Sequence, residues 1–176
     1  GLPERARLIG TAGGLLGVRG IGVLYDAWAI IAARHADAHL VLAGPTDDRL
    51  PPPKGERVHY LGMLTHAQTA QLFSALDVGV IYLRDTPFGR YCFPQKAYEM
   101  LACELPIVGA AVGVMPHLLA SAPGCLYAAD DVNDLARALS RQLQDALLPE
   151  VPIEDWAQVI AGMEQHLRRV VRDAAR

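Results

Sequence analysis

The chain has 176 residues, is 52% hydrophobic and 20% charged, and carries a net charge of −3. That composition is enough for one globular domain with a full core and excludes a disordered chain. The absence of a basic field argues against nucleic acid as the main partner, and no apolar run approaches the roughly eighteen residues of a membrane span.

Strands and helices alternate from end to end, the pattern of a doubly wound parallel sheet with helices on both faces and an α/β, Rossmann-like fold. Arg7–Ala12 reads as the first strand and runs into a glycine-rich turn from Gly13 to Gly20. Glycines between a strand and a helix let backbone N–H groups approach a pyrophosphate, although the dinucleotide and P-loop spacings are both absent. The same turn also suits a plain strand-to-helix connection. A helix follows, with Ile21, Leu24, Trp28 and Ile31 on one stripe. His39–Gly44 is the second strand, and the prolines of residues 45–56 predict an exposed loop. Arg57–Gly62 is the third strand, and Thr65 is placed to cap a helix that buries Leu72, Phe73 and Leu76.

Val78–Leu83 has the length of a buried strand, and a loop is expected from Arg84 to Phe93. Pro94 suits the first turn of the next helix, whose inward face carries Ala97, Met100 and Leu101 and which ends at Pro106. A helix N-terminus at a strand's carboxyl end offers unpaired N–H groups to an anion. Lys96 lies in the first turn of that helix. Glu99, just over a turn in, presents a carboxylate suited to a pair of sugar hydroxyls, though both residues are equally at home on a solvated helix face. Ile107–Ala110 is the next strand, followed by a turn around Val112–Pro116 with His117, and by a short strand at Gly124–Ala128. Asp130 or Asp131 caps a helix bearing Leu135, Leu139 and Leu143; Asp47-Asp48 and Asp130-Asp131 read as turn and cap residues. Pro149 and Pro152 mark a joint, giving a core of about 7–148 and a terminal segment, 149–176. Its helix has a strong apolar stripe (Trp156, Ile160, Met163, Leu167, Val170) that needs a surface to pack on, in this domain or another.

Cys92, Cys103 and Cys125 are odd in number and lack metal-ligand spacing, so no metal is expected and a reducing, cytoplasmic setting is read. Cys103 and Cys125 are expected as small core residues, while Cys92 falls in the loop before Pro94. The start at Gly1-Leu2-Pro3 reads as that of an excised piece.

The stretch from Phe93 to Ala110 resembles the signature region of the retaining GT-B glycosyltransferases often called family 4 (glycosyl transferases group 1). Glu99 matches the second of that family's two signature glutamates, Ala102–Val108 match its tail, and Pro94, Lys96 and Glu99 match a Pro-x-Lys-x-x-Glu variant. The position of the first glutamate falls on Tyr91. Gly13, Leu15, Arg19 and Gly20 fit the family's first loop, with Arg19 for its usual Lys and Gly14 for its usual Arg. Leu61-Gly62-Met63-Leu64 falls where the family holds the nucleobase.

The resemblance implies the C-terminal, donor-binding half of an enzyme that moves a sugar from a nucleotide-diphosphate sugar to an acceptor hydroxyl with retained configuration. The nucleotide sugar is substrate, and no cofactor is implied. In this reading Gly13, Gly14, Arg19 and Lys96 hold the diphosphate, Gly62 and Met63 the base and Glu99 the ribose, while Tyr91, Cys92, Phe93 and Pro94 face the sugar. It also implies a second, N-terminal acceptor domain and a fragment that turns over little alone. Polysaccharide synthesis at the cytoplasmic face of a membrane, contacted through the other half, is the corresponding setting. A nucleotide-sugar epimerase, a non-catalytic nucleotide-sugar sensor and an interaction domain without a ligand remain as alternatives.

Overall fold

The computed structural model describes residues 2–3 and 5–174. Six strands, β1 (Arg7–Ala12), β2 (Ala38–Ala43), β3 (Val58–Tyr60), β4 (Val78–Ile81), β5 (Ile107–Ala110) and β6 (Leu126–Tyr127), form one sheet in the order β3-β2-β1-β4-β5-β6. Every pairing is parallel, with β1 and β2 in register from Arg7 opposite Ala38 to Ala12 opposite Ala43. All residues of β2, β4 and β5 are buried. A parallel sheet covered on both faces requires this, and it is why these segments are short continuous apolar runs in the sequence. The order reverses between β1 and β4, so the crevice for a ligand opens beyond the carboxyl ends of these two strands.

The cover is two helical layers. Helices α1 (Ile21–Arg34) and α6 (Val132–Gln144) pack against each other, as do α2 (His66–Ala75) and α4 (Gln95–Ala102). The stripes expected from the sequence are the buried ones: Ile21, Leu24, Trp28 and Ile31 in α1, Leu72 and Phe73 in α2, with Leu76 just beyond it, and Leu135, Leu139 and Leu143 in α6. Each such side chain contributes about 1.5–3 kcal/mol by leaving water. Local signals end the helices where expected. Thr65 accepts from the Gln68 N–H while the Gln68 side chain accepts from the Thr65 N–H, a complete capping box. Asp131, not Asp130, caps α6.

Gln142 closes the core. It is buried, its Nε2 donates to the carbonyls of Ile107 (3.1 Å) and Leu147 (3.0 Å), and its Oε1 accepts from the Leu147 N–H (2.7 Å). One amide thus clips the chain after α6 to the start of β5.

Three expected elements differ from the structure. The segment from Arg84 to Phe93 is not all loop, because Pro87–Tyr91 forms a short helix, α3. Thr86 caps it, accepting from the Gly89 N–H, and Pro87 opens it. Gly89 lets it lie directly on the chain leaving β4: a Cβ there would stand 2.0 Å from the Arg84 carbonyl oxygen. Pro94 is the N-cap of α4 rather than part of its first turn, with φ −83° and ψ 60°. The last strand shortens to Leu126–Tyr127 because Pro123–Cys125 winds into a 3-10 turn. After the short helix α5 (Met115–Leu118) and α6, the terminal helix α7 (Trp156–Ala174) buries none of its residues in this chain. Cys125 is buried, whereas Cys103 and Cys92 are partly buried against the core. No described helix is long and apolar enough to cross a membrane.

At the β3 edge, Arg57 donates to the carbonyls of Ala32 (2.7 Å) and His35 (2.8 Å), capping the end of α1. Beside it His39 Nδ1 lies 2.9 Å from His59 Nε2 across the β2–β3 pair. Burial pushes the His39 pKa below 6.5, with the charges of His59 and Arg57 adding to the shift and Asp37 opposing it. A depressed histidine favours folding while neutral, so its contribution is intact above about pH 6.5 and is lost as pH falls through the folded value. Urea midpoints should therefore fall between about pH 7 and pH 5, and less steeply in His39→Asn. Parallel profiles for the two proteins would exclude this pair as the source.

Candidate functional site

Three glycines stand at the carboxyl ends of β1, β2 and β3, each with positive φ: Gly13 (117°), Gly44 (118°) and Gly62 (69°). They are stitched side by side. Gly13 N–H donates to the Ala43 carbonyl (2.9 Å), Leu15 N–H to Pro45 (2.8 Å), and Gly44 N–H to Gly62 (2.7 Å). A Cβ on Gly44 would sit 2.2 Å from the Gly13 carbonyl oxygen, so these turns touch backbone to backbone. The Gly13 N–H, expected to face an anion, is therefore already taken by Ala43. The Gly14 N–H has no acceptor among the described residues. Beyond Gly14, Gly17–Arg19 forms a 3-10 turn that delivers Arg19 to the same edge, and its guanidinium lies 5.7 Å above the Phe88 ring.

Helix α4 approaches from the opposite side of the switch point. Lys96 is partly buried, and a Cβ on Gly13 would lie 2.9 Å from its Nζ. The ammonium also sits 5.3 Å from the centroid of the Tyr82 ring. No described carboxylate reaches it within salt-bridge distance. Desolvation, reinforced by the like charge of Arg19 and opposed by Glu99 and Cys92, brings its pKa down to about 8. One turn on, Glu99 accepts a hydrogen bond from Gln95 Nε2 (2.9 Å).

Two cavities meet at Lys96 and Glu99, which line both. The first, about 550 Å³, runs from Gly13 and Gly44 past Met63 and Leu64 to Phe73 and Cys103. The second, about 330 Å³, is bounded by Gly14, Arg19, Tyr82, Phe88 and the segment Cys92–Gln95. Together they form a trough with an apolar chamber at one end and two cations at the other. Such a division suits a ligand with a flat organic part and an anionic centre.

Of the residues singled out from sequence, Gly13, Met63, Lys96 and Glu99 line the first cavity, and Gly14, Arg19, Cys92, Phe93, Pro94, Lys96 and Glu99 the second. Gly62 lines neither; its carbonyl instead holds Gly44. Tyr91 does not share the loop's position. As the last residue of α3 it is 89% exposed and outside both linings. The cause is local, since capping by Thr86 winds the chain into a turn of helix that carries Tyr91 outward. His117 is exposed and borders a third cavity, between α4, α5 and residues 150–159. Among the described residues no three metal-ligating side chains cluster.

Sequence reasoning missed Gly44 and Tyr82. Gly44 at the end of a strand carries the same signal as Gly13, but the sequence reading makes it only the last residue of the second strand. Tyr82 stood at the end of an apolar run, where a phenol passes for a core residue. It is buried, and its hydroxyl donates to the Gly14 carbonyl oxygen at 2.8 Å.

Known proteins fall into place on this geometry. Sucrose-phosphate synthase from Thermosynechococcus elongatus superposes with a TM-score of 0.73 at 22% identity, over 98% of this chain and 47% of that one. HepE from Anabaena, solved in complex with UDP and glucose, gives 0.68 at 20% identity, over 96% of this chain and 49% of that one. The C-terminal domain of a glycosyl transferase group 1 protein (LpcC) from Francisella tularensis gives 0.66 at 17% identity, over 82% and 78%. At these identities the likeness is one of fold, that of half a GT-B glycosyltransferase, and the chain spans about half the length of the first two. No curated protein matches in sequence. The family model described as glycosyl transferases group 1 matches residues 6–145, most of the chain and the whole of the sheet with both cavities, and on that match the chain belongs to the glycosyl transferases group 1 family.

Proposed function

We propose that this chain is the donor-binding half of a retaining glycosyltransferase and that the trough holds a nucleotide-diphosphate sugar. The observation that carries the reading is the meeting of Lys96, Arg19 and a Gly14 N–H without an acceptor among the described residues at the switch point, with Glu99 one turn further along α4. The base lies in the larger cavity against Phe73 and the Met63-Leu64 turn. The ribose hydroxyls donate to Glu99, and the diphosphate lies between Arg19, Lys96 and the Gly14 N–H. The sugar extends into the smaller cavity beside Cys92, Phe93 and Pro94, with Tyr91 outside the contact.

In the reaction the bond between the anomeric carbon and the β-phosphate oxygen breaks and its electron pair leaves with the diphosphate. The acceptor oxygen bonds to the anomeric carbon on the same face, and its proton departs with the nucleoside diphosphate. Charge grows on the leaving group during this step. Arg19, Lys96 and Gly14 border the same cavity, and in this reading they favour the transition state over the bound substrate. The nucleotide sugar is the substrate, and the scheme uses no further cofactor. The acceptor is supplied from outside this chain, by a second domain facing the trough.

The test is a calorimetric titration with UDP and GDP. One of them should bind the chain, and Glu99→Ala and Arg19→Ala should each weaken it at least 10-fold, as expected for hydrogen bonds to charged groups worth about 1.5–3 kcal/mol. Failure of every nucleoside diphosphate to bind, or wild-type affinity in both variants, would sink the reading. The anomeric configuration of the product made by the full-length protein tests retention.

A further inference from the structure

Resting on the donor-site reading above, we propose that Tyr82 is a positioning residue for the diphosphate: its hydroxyl sets the Gly14 turn and its ring face seats the Lys96 ammonium. Tyr82 follows directly on β4, beside β1 at the switch point, and is buried. Its hydroxyl reaches the Gly14 carbonyl oxygen across 68 positions of sequence. That carbonyl belongs to the same peptide unit as the Leu15 N–H, which donates to Pro45. The unit is therefore held at both ends, by Tyr82 and by Pro45. On its other side, the Gly13 N–H is held by Ala43. Between these anchors lies the Gly14 N–H, which has no acceptor among the described residues, on a residue that lines the cation-bearing cavity.

Glycine by itself would not keep such a donor pointed, because it populates many backbone conformations with little bias. The phenol supplies the missing constraint. The same side chain acts on Lys96. Its ring lies 5.3 Å from Nζ, inside the range in which an aromatic face attracts a cation. The ammonium is thereby held between Gly13 and Tyr82, with no carboxylate among the described residues close enough to form a salt bridge. A carboxylate in that place would compete with the diphosphate; a ring quadrupole steadies the charge and leaves it available. Burial, with Tyr25 second, pushes the Tyr82 phenol well above its ordinary range, so it stays a donor at all working pH values.

Two variants separate the two roles. Tyr82→Phe keeps the ring and its packing and removes only the hydroxyl; Tyr82→Leu removes both. Tyr82→Phe should bind the preferred nucleoside diphosphate roughly 5- to 10-fold more weakly, the value of one lost hydrogen bond to a partly buried carbonyl. It should bind the parent nucleoside, which lacks the diphosphate, as wild type does. Tyr82→Leu should weaken the diphosphate further. It should also move the pH midpoint of Lys96 acylation, read by mass spectrometry on the ligand-free protein, to lower pH, because the charged form has lost its ring. Tyr82→Phe should leave that midpoint in place.

Equal loss of nucleoside and diphosphate in Tyr82→Phe would mark a merely structural residue and overturn the proposal. So would wild-type diphosphate affinity in both variants, or one acylation midpoint shared by all three proteins. If the wild-type chain binds no nucleoside diphosphate, the donor-site reading fails instead, and the acylation midpoints still decide whether Tyr82 seats Lys96.

Discussion

Replacing Lys96 with Met should yield a protein that is more stable than the wild type and yet binds nucleoside diphosphate 10- to 150-fold more weakly, the range set by charge-assisted hydrogen bonds of about 1.5–3 kcal/mol. Both halves of that result come from one fact. The ammonium is held partly out of water with no described carboxylate beside it, and its pKa falls from 10.5 to about 8. A lysine with a depressed pKa opposes folding while charged. The opposition is complete below about pH 8 and is relieved as pH rises from there toward 10.5, because in that window the unfolded chain holds a proton that the folded chain has released. Met fills a similar volume without the charge, so its thermal midpoint should exceed that of the wild type at pH 7, with the gap closing at alkaline pH.

Function runs the other way. An anion needs the ammonium, so diphosphate affinity in the wild type should decline as pH rises through about 8. In Lys96→Met that limb should be missing. Calorimetry across the pH range and thermal melts of the two proteins check the pair of expectations together. A variant that is both less stable and still a good binder would mean that Lys96 is a structural residue. A functional site that stores such cost is the usual place for stability and activity to pull apart.

Gly44→Ala should be among the most damaging single methyl groups in the chain. Two costs coincide there: a φ of 118°, which side chains rarely adopt, and a Cβ placed 2.2 Å from the Gly13 carbonyl oxygen, a backbone atom that cannot swing away. Strain of about 1–3 kcal/mol from the dihedral and a similar amount from overpacking predict a loss of roughly 3 kcal/mol, or about 10 °C in Tm. Gly62→Ala is the control. It has positive φ (69°) but nothing within 4 Å of the new methyl group, so only the conformational cost of about 1 kcal/mol applies. Because Gly44 abuts Gly13, whatever Gly44→Ala protein folds should also bind diphosphate poorly, whereas Gly62→Ala should bind it with the backbone turn intact. Equal melting temperatures for the two variants would show that the close approach of the turns carries no weight.

The most informative disagreement between sequence and structure concerns Tyr91. The local signals for α3 were present: Thr86 and Pro87 are a cap and a first-turn proline. The helix is only five residues long, with a glycine in its middle, and such a stretch has no periodicity to read. The cap at Thr86 winds it, and Gly89 lets it lie against the Arg84 carbonyl, so a few residues decide the turn without any repeating pattern. The unburied stripe of α7 teaches the complementary lesson. A 3.6-residue apolar pattern shows that a helix has a face to cover and says nothing of what covers it.

By itself the sequence determined the alternation of strand and helix, the buried stripes, the cap at Thr65, and the two chemically pointed stretches, Gly13–Gly20 and Pro94–Glu99. These are encoded within a few residues of one another, because side-chain periodicity, caps and backbone freedom act over one or two turns of chain. The tertiary structure alone decided which of these local features share a site. Lys96 meets Gly13, and Tyr82 meets Gly14, because β4 lies beside β1, where the strand order reverses. Nothing in either stretch specifies its partner: the juxtaposition follows from burying the central strands of a parallel sheet, and the pocket is what that packing leaves open at the strands' carboxyl ends.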